Sequence, residues 1–396
     1  MISTAVLKPG RDKAVRQRHP WIFSGALRRL PDEAADGDIV TVTDAAGQFV
    51  ARGYLNRASQ ITIRLLSWDE AEEIDEGLLF RRLERAMEWR RTRFGWPPLG
   101  ACRLVYAESD GLPGLIIDRY AGWLVVQLLT LGSERWRAPL VDWLVRELRP
   151  EGIFERSDVD VREKEGLPPR SGPLWGPPPP GEIEIEEGNL RFLVDLAHGQ
   201  KTGFYLDQRL NRQRVASYCR GREVLNCFSY TGAFGVYAAA AGASAVCDVD
   251  TSADALEAAR RNRILNGLSA PAEQLVQRDV FQLLREYRNA GRQFDLVILD
   301  PPKFAYAQSQ IERACRGYKD INLLAIGLLR RDGILATFSC SGAIGQDLFQ
   351  KVIFGAALDA RRDVQIIETM TQAPDHPILL SFPESAYLKG LICRAV

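Results

Sequence analysis

The sequence predicts an α/β protein that begins with a small β-barrel, continues with an α+β domain and ends with a doubly wound parallel sheet. Residues 1–70 alternate apolar and polar residues around Gly and Asn turns, a pattern that indicates strands. Residues 166–181 are dominated by Pro and Gly, a composition that interrupts regular structure. From residue 222 onward, apolar strands alternate with amphipathic helices, as in parallel sheets covered by helices.

The first two parts are predicted from short stretches of the chain. The barrel strands lie in DIVTVTDAAGQFVARGYLN and ITIRLLS. An amphipathic helix is expected over residues 74–94, where the period-3.6 spacing places apolar residues on one face: Ile74, Leu78, Leu79, Leu83, Ala86 and Trp89. The α+β domain is completed by the strands CRLVYAES, GLIIDRY, WLVVQLLT and GIFERSD and by the helix RAPLVDWLVREL. The run GLPPRSGPLWGPPPPG should form no regular element.

The third part opens with a predicted hairpin, EIEIEEGNLRFLVDL, before the strand–helix alternation begins. Its strands are EVLNCF, SAVCDVD, EQLVQRD, FDLVILD and ILATFSC, followed near the end by DVQIIETM and KGLICRAV. The length of 396 residues allows two or three domains, at roughly 100–200 residues each. We expect them at residues 1–72, 73–181 and 182–396.

Composition excludes several classes of protein. No apolar run is long enough to span a bilayer, and basic residues interrupt the first segment, so we expect no membrane association and a cytoplasmic location. The seven cysteines include no C-x-x-C pair, and the three histidines are scattered, which argues against a disulfide framework and a metal site. Net charge is zero, but 43 of the 51 basic residues are Arg, a residue suited to phosphates; high genomic GC content would explain this equally well.

The first candidate site is a glycine turn after an apolar strand, the run NCFSYTGAFG from Asn226 to Gly235. Gly232 and the small Ala233 would let backbone N–H groups at a helix start approach a ligand. The run is not G-x-G-x-x-G, so NAD or another dinucleotide is disfavoured. A purely structural turn remains an alternative.

Two acidic residues end the next two strands. Asp250 follows the glycine turn at a distance that suits a ribose diol, and Ser252 is expected to cap the next helix in its place. Asp279 suits either an adenine amino group or the cap of its own helix.

The last two candidates carry the chemistry. Asp300 opens the loop Asp-Pro-Pro-Lys-Phe304, whose two prolines make it rigid enough to hold a flat ring; the alternative is a mere strand terminator. Cys340 ends the following strand in ATFSCSG. A free cysteine is usually buried filler, but a thiolate at this edge can act as a nucleophile. Cys227 more plausibly packs in the first strand.

This order of glycine turn, two acids, Asp-Pro-Pro loop and following strand is that of class I methyltransferases, which use S-adenosylmethionine. Together with KPGRDKAVRQRHPWIFSGAL, KTGFYLDQRLNR, LNCFSYTGAFGVYAAAAGA, LDPPKFA and TFSCS, it resembles the ribosomal RNA large-subunit methyltransferase I family over essentially the whole chain. That resemblance implies an N-terminal PUA domain that binds RNA, an α+β middle domain and a Rossmann-like catalytic domain. It also implies methylation of C5 of a cytosine in large-subunit ribosomal RNA.

The resemblance and the motifs together define the predicted sites. Cys340 would be the nucleophile and a protonated Asp300 the partner of the cytosine N3. The cofactor site would comprise Lys201, Phe204, Asp207, Arg209, Asn226, Phe228, Ser229, Thr231, Gly232, Ala233, Asp250, Ser252, Asp279, Val280, Asp300 and Pro301. RNA would contact Arg11, Lys13, Arg16, Arg18 and Lys303. Phe204 as a simple buried residue is the alternative for the KTGFYLDQR run.

Three rival functions stay open on the sequence. Asp-Pro-Pro loops also serve methylation of guanine or adenine nitrogens, which needs no thiol, so Cys340 discriminates between the two reactions. A non-catalytic ribosome-assembly factor and a small-molecule methyltransferase are the other two. Some cytosine-C5 enzymes carry a second Cys where this chain has Pro302, which puts a second-cysteine release step in doubt. A homodimer stays open as well.

Overall fold

The computed structural model describes residues 3–305 and 307–396, which divide into two compact units. The first unit contains the chain up to residue 185 together with residues 194–206 and 375–385. The second contains residues 186–193, 207–374 and 386–396. Both units therefore combine segments that are distant in sequence, and the three predicted domain boundaries stay predictions.

The N-terminal part of the first unit is a six-stranded sheet, in agreement with the period-two alternation. Its elements are β1 Thr4–Leu7, α1 Lys13–Arg16, β2 Trp21–Phe23, β3 Leu27–Arg29, β4 Ile39–Thr43, β5 Phe49–Leu55 and β6 Ile61–Ser67. The strand order is β2-β6-β5-β4-β1-β3. Alternate residues such as Val40, Val42, Ile63 and Leu65 are buried in one hydrophobic cluster. This is expected, because every second side chain of a strand points to the same face of the sheet.

The following part is a five-stranded sheet with helices packed against it. Its elements are α2 Glu76–Phe94, β7 Ala101–Tyr106, β8 Leu115–Tyr120, β9 Trp123–Leu128, α3 Leu131–Arg135, α4 Arg137–Leu148, β10 Gly152–Ser157, α5 Val161–Lys164 and β11 Arg170–Trp175. The strand order is β11-β10-β9-β8-β7. Helix α2 begins after Asp75, whose carboxylate accepts from the backbone N–H of Leu78, a favourable N-cap.

Strand β11 corrects the prediction that residues 166–181 form no regular element. Residues 170–175 pair antiparallel with β10, with Pro173 opposite Phe154. Strand β11 is at the edge of its sheet and has no neighbour on its outer side. A residue without a backbone N–H, such as Pro173, is tolerated on an edge strand. Pro173 is therefore compatible with an edge strand, although it would interrupt a central strand.

The remaining elements begin with the predicted hairpin and then alternate as expected. They are β12 Glu182–Glu187, β13 Leu190–Asp195, α6 Arg209–Ala216, β14 Glu223–Cys227, α7 Ala233–Ala240, β15 Ala245–Asp250, α8 Ala253–Leu265, β16 Leu275–Gln277, α9 Val280–Asn289, β17 Phe294–Leu299, α10 Ile311–Leu328, β18 Leu329–Ser339, α11 Gln346–Asp359, β19 Val364–Thr371 and β20 Lys389–Ala395. None of the helices among the described residues is long and apolar enough to cross a membrane.

The second unit is built on a seven-stranded sheet of order β16-β15-β14-β17-β18-β20-β19. The pairs from β16 to β18 are parallel, and β20 is antiparallel to both its neighbours. Neighbouring residues face opposite sides: Leu225 joins one hydrophobic cluster and Val224 the other. The predicted doubly wound sheet is confirmed. The strand order reverses between β14 and β17, and ligands of such sheets bind beyond the carboxyl ends of strands at that point.

Candidate active site

The glycine turn between β14 and α7 has a backbone that few sequences tolerate. Phe228, Tyr230 and Gly232 all have positive φ, at 59°, 48° and 75°. A Cβ on Gly232 would lie 2.5 Å from the Cβ of Ala259 in α8. Glycine is therefore required here by the left-handed backbone and by close helix packing, and the approach of this backbone to a ligand stays a prediction.

Asn226 supports the sheet from inside the protein. Its Nδ2 donates to Oδ1 of Asp248 at 2.7 Å, and Arg263 contacts Oδ2 of the same carboxylate at 2.5 Å. All three side chains are buried. Burial raises the pKa of Asp248 while Arg263 and Asn226 lower it. Asn226 thus has a structural role, and its contact with the cofactor stays a prediction.

Ser252 caps the next helix as predicted, and the contact of Asp250 with a ribose stays a prediction. Ser252 caps α8 by accepting from the backbone N–H of Ala255. The Asp250 carboxylate accepts from the backbone N–H of Tyr230 at 2.9 Å and of Ser252 at 3.0 Å. These two bonds orient the carboxylate, and because each carboxylate oxygen has a second acceptor site, the group can still accept from ribose hydroxyls.

Asp279 caps α9, since its Oδ1 accepts from the backbone N–H of Gln282 at 3.0 Å. Beside it, Phe281 packs against Phe228 and Phe304, with ring centroids 6.4 Å and 6.0 Å apart. This row of rings lies along the carboxyl ends of the central strands. The acids and rings match what an adenosine moiety needs, namely acceptors for hydroxyl and amino groups beside apolar ring faces. The residues present therefore fit S-adenosylmethionine.

The other predicted cofactor residues are placed as follows. In the second unit, Asp207 is buried and accepts from the Tyr387 hydroxyl. Arg209 pairs with Glu187 at 3.5 Å. Ser229, Val280 and Pro301 are buried, the carbonyl of Thr231 accepts from Asn262, and Ala233 begins α7.

Lys201 and Phe204 belong to the first unit. Phe204 is buried, and its backbone N–H and carbonyl both bond to the Tyr120 hydroxyl. The Lys201 ammonium lies 4.3 Å from the ring centroid of Tyr205. The simple buried role of Phe204 is therefore observed, and the contact of both residues with the cofactor stays a prediction.

Asp300, at the end of β17, is held by a residue that the sequence reasoning missed. Gln208 donates from Nε2 to Oδ2 of Asp300 at 3.0 Å. The orientation of that amide is set in turn by Asn211, which donates to Oε1 of Gln208 at 2.6 Å. Gln208 lies inside the run KTGFYLDQR, and its place in that motif is the sequence feature that could have identified it as a functional residue.

Cys340 follows β18 and is half-buried, as is Cys315, whereas the other five cysteines are buried. Burial raises the pKa of Cys219 and Cys393 to about 12 and that of Cys247 to about 11. The same cause raises the pKa of Cys227 well above its ordinary value. Since the thiolate is the nucleophile, these buried thiols are poor candidates, and Cys340 keeps the position predicted for it.

Ser341 ties the segment that follows Cys340 to its surroundings. Its hydroxyl contacts the backbone N–H of Ala305 at 3.3 Å and the Tyr318 hydroxyl at 3.1 Å. Its carbonyl accepts from the ammonium of Lys389 at 2.6 Å. Because Ala305 directly follows the loop from Asp300 to Phe304, these bonds connect the thiol segment to the Asp-Pro-Pro loop.

Lys389 begins β20 and is a second residue missed from the sequence. It is only 6% exposed, and its pKa is lowered to about 8, chiefly by burial and to a smaller extent by Lys303, while Cys340 opposes the shift. The available signal was a single charged residue at the start of the apolar strand KGLICRAV. Lys303 itself is half-buried beside the Asp-Pro-Pro prolines.

The residues predicted to bind RNA have different surroundings, and their contact with RNA stays a prediction. Arg16 pairs with Asp12 at 2.6 Å and Asp44 at 2.7 Å. Arg11 and Lys13 are exposed. Arg18 lies instead over the ring of Trp68, 5.7 Å from its centroid.

Arg18 and Trp68 line a cleft of about 560 Å³ in the first unit. Arg81 and Arg85 of α2 share this cleft, are exposed, and form no ion pair among the described residues. Arg82 lies there too, but it is committed to the carbonyls of Gly111 and Leu66. Sequence reasoning missed these arginines because α2 was treated only as a packing helix.

The comparisons with known proteins agree with this geometry. Residues 168–394 match the family model for S-adenosylmethionine-dependent methyltransferases, and residues 5–68 match that for PUA-like domains. The ribosomal RNA large subunit methyltransferase I of Escherichia coli strain SMS-3-5 is 50% identical over 392 residues, 99% of both chains.

Two solved structures share the fold over the full length of both chains. One, assigned as a SAM-dependent methyltransferase of Streptococcus mutans, is 22% identical with a TM-score of 0.85. The other, a methyltransferase complexed with SAH, is 23% identical with a TM-score of 0.86. With the site, the matched family models and the close relative in agreement, this S-adenosylmethionine-dependent methyltransferase belongs to the ribosomal RNA large subunit methyltransferase I family.

Proposed function

We propose that this protein transfers the methyl group of S-adenosylmethionine to C5 of a cytosine in large-subunit ribosomal RNA, with Cys340 as the nucleophile. One observation carries the proposal: a half-buried thiol follows the strand next to the Asp300 loop, and Ser341 ties its segment to that loop. The names of the relatives, which specify large-subunit ribosomal RNA, support the substrate class. Methylation of a base nitrogen needs no thiol at this position.

In the proposed reaction, the chain makes C5 nucleophilic before methylation. The Cys340 thiolate attacks C6 of the cytosine, forming an S–C6 bond, and the electrons of the C5–C6 double bond move to C5. The bound cofactor supplies an electrophilic methyl group to that carbon. A base then removes the C5 proton, and the double bond re-forms as the thiolate leaves. The cytosine must be flipped out of any stack for Cys340 to reach C6.

Asp300 is proposed to hydrogen bond to N3, where negative charge develops during the attack. Gln208 donates to Oδ2 of Asp300, which favours charge on that oxygen. The proton that Asp300 shares with N3 is therefore expected on Oδ1. Gln208 in this arrangement positions Asp300 and does not contact the base.

The arginine cleft, defined by Arg18, Trp68, Arg81 and Arg85, is proposed to bind part of the RNA substrate. Guanidinium groups bind phosphates, and an aromatic face can stack on an unpaired base. A volume of about 560 Å³ is in the range of small-molecule sites, roughly 300–1,000 Å³, and is large enough for a nucleotide.

Replacement of the thiol tests the reaction directly. Cys340→Ala should lower methyl transfer by at least about 10⁴-fold, because C5 has little nucleophilic character without the adduct. Cofactor affinity measured by calorimetry should stay nearly unchanged. Asp300→Asn should lower transfer by about 10²–10³-fold, because an amide can donate a hydrogen bond to N3 but cannot pass a proton to it.

RNA containing 5-fluorocytosine supplies the second readout, because fluorine cannot leave C5 as a proton does. It should trap a covalent complex with the native enzyme and with the matched control Cys315→Ala, whose thiol is also half-buried. It should trap none with Cys340→Ala. Near-native methylation by Cys340→Ala would reject this mechanism and favour nitrogen methylation.

A further inference from the structure

Lys389 differs from the other buried cations of the second unit in having no carboxylate partner among the described residues. Its ammonium donates to two backbone carbonyls, those of Ser341 at 2.6 Å and Tyr387 at 2.8 Å. By contrast, buried Arg263 and Arg212 are paired with carboxylates, at 2.5 Å and 2.6 Å. A buried charge without an ionic partner is costly, so its presence at this place needs an explanation.

The register of the sheet places Lys389 beside the proposed nucleophile. Lys389 is the partner of Ser339 in the antiparallel pair β18–β20, and its ammonium reaches the carbonyl of Ser341. Those two residues flank Cys340 in the chain. The lysine therefore holds both sides of the thiol segment, one through the sheet and the other through a hydrogen bond.

The charges around Lys389 favour an ion pair with the thiol. Cys340 raises the pKa of Lys389 against the effect of burial, whereas Lys303, on the loop after β17, lowers it. Since coupling between two sites is reciprocal, the ammonium favours the thiolate of Cys340 to the same extent. Tyr318 of α10 is held neutral by burial, which raises its pKa. Asp207 is engaged by the hydroxyl of Tyr387.

We propose that Lys389 is the positioning residue that keeps Cys340 ionised, by supplying a buried positive charge and by fixing the turn through the Ser341 carbonyl. This inference rests on the proposed role of Cys340 as nucleophile. With a pKa of about 8, Lys389 is mostly protonated at neutral pH. The cation is thus present under the conditions in which the thiolate is needed.

The experiment measures the ionisation of Cys340 without RNA or cofactor. Iodoacetamide labelling of the full-length protein is followed across pH by peptide mass spectrometry, with half-buried Cys315 as the reference in the same digest. In the native protein, the midpoint for Cys340 should lie below the ordinary thiol value of about 8.5. A midpoint at or above that value would overturn the proposal without the need for any variant.

The variants Lys389→Met and Lys389→Arg separate charge from packing. The Met variant should move the Cys340 midpoint up by about one pH unit or more, which corresponds to about tenfold slower labelling at pH 7. The Met variant should also lower kcat by about tenfold or more, while KM for S-adenosylmethionine should change by less than about twofold. The Arg variant should keep the low midpoint. An unchanged midpoint in the Met variant refutes the inference.

The outcomes also distinguish this inference from the proposed function. A lysine-dependent low midpoint without a 5-fluorocytosine adduct would reject the cytosine-C5 reaction and keep the ion pair. An adduct that forms while labelling is indifferent to Lys389 would keep the reaction and reject the role of the lysine.

Discussion

Two buried charged groups lie on different strands of the same sheet, and their surroundings differ. Asp248 of β15 is fully buried and is bound by Asn226 and Arg263. Lys389 of β20 is nearly as buried, but its ammonium donates to two backbone carbonyls, and the charge of Cys340 raises its pKa against the effect of burial. The first charge is neutralised by a permanent partner, whereas the second is the one proposed above to stabilise the Cys340 thiolate. The proposed difference is that between a scaffold and a reaction centre.

The packing around Asp248 shows how completely it belongs to the scaffold. A Cβ on Gly235 of α7 would lie 2.3 Å from Oδ1 of Asp248. The helix therefore lies directly against the carboxylate, and no space remains for a ligand there. Contact with this carboxylate explains why residue 235 is glycine, whereas Gly232 is required by its left-handed backbone and by Ala259.

The largest effect that would sharpen the comparison is on stability. Asp248→Ala removes the partner of a buried guanidinium, and we expect the free energy of unfolding to fall by about 3–5 kcal/mol. Urea denaturation followed by circular dichroism measures it. Methyl transfer per folded molecule should change far less than in Lys389→Met.

An exposed ion pair provides the control for Asp248→Ala. Glu257 pairs with Arg260 on the surface of α8, and Glu257→Ala should leave the urea midpoint close to that of the native protein. If Asp248→Ala unfolded at the native midpoint, the buried pair would not be the scaffold described above.

The residues that end strands were predictable from the sequence, whereas those that reach them from a distance were not. Asp250, Asp279, Asp300 and Cys340 each end an apolar run, so their position at the carboxyl edge follows from the parallel sheet. Gln208 acts on a residue 92 positions away, and Lys389 on one 48 positions away. Such contacts depend on the order of strands and on helix packing, which local periodicity does not determine.

The wrong or incomplete predictions also have physical causes. Pro173 excludes a central strand but not an edge strand, and so β11 was missed. Asn226 lies in the motif with the residues expected to contact the cofactor, yet the end of β14 points its amide at Asp248. A motif marks a region of the fold, and only the geometry assigns each of its side chains.

A second prediction uses pH to distinguish the two buried charges. The pKa of Lys389 in the folded protein is about 8, below its ordinary 10.5. Between these values the unfolded chain binds more protons than the folded one, so the native protein gains stability as pH rises. Relative to Lys389→Met, the gain should reach about 3 kcal/mol by pH 10.5. Urea denaturation of both proteins from pH 7 to 10.5 measures the difference.

The pH experiment also has an outcome that contradicts the comparison. If the stability of the native protein and Lys389→Met changed in parallel over this range, Lys389 would titrate as an ordinary exposed lysine. The contrast with Asp248 would then disappear. Denaturation of Lys389→Arg provides the control, because arginine keeps its charge throughout and should show no such gain.

The smallest expected effect concerns charges that are neither buried nor paired, those of the arginine cleft. Arg81→Gln with Arg85→Gln should weaken binding of ribosomal RNA fragments by about tenfold at moderate salt, and should reduce the slope of log affinity against log salt by about one for each phosphate that the variant no longer neutralises. The free energy of unfolding should not change, since these exposed side chains form no ion pair among the described residues.

Arg16→Gln is the matched control, because Arg16 is already bound to Asp12 and Asp44 and should contribute less to RNA binding. An equal weakening in the two variants would mean that RNA follows the N-terminal basic segment and not the cleft.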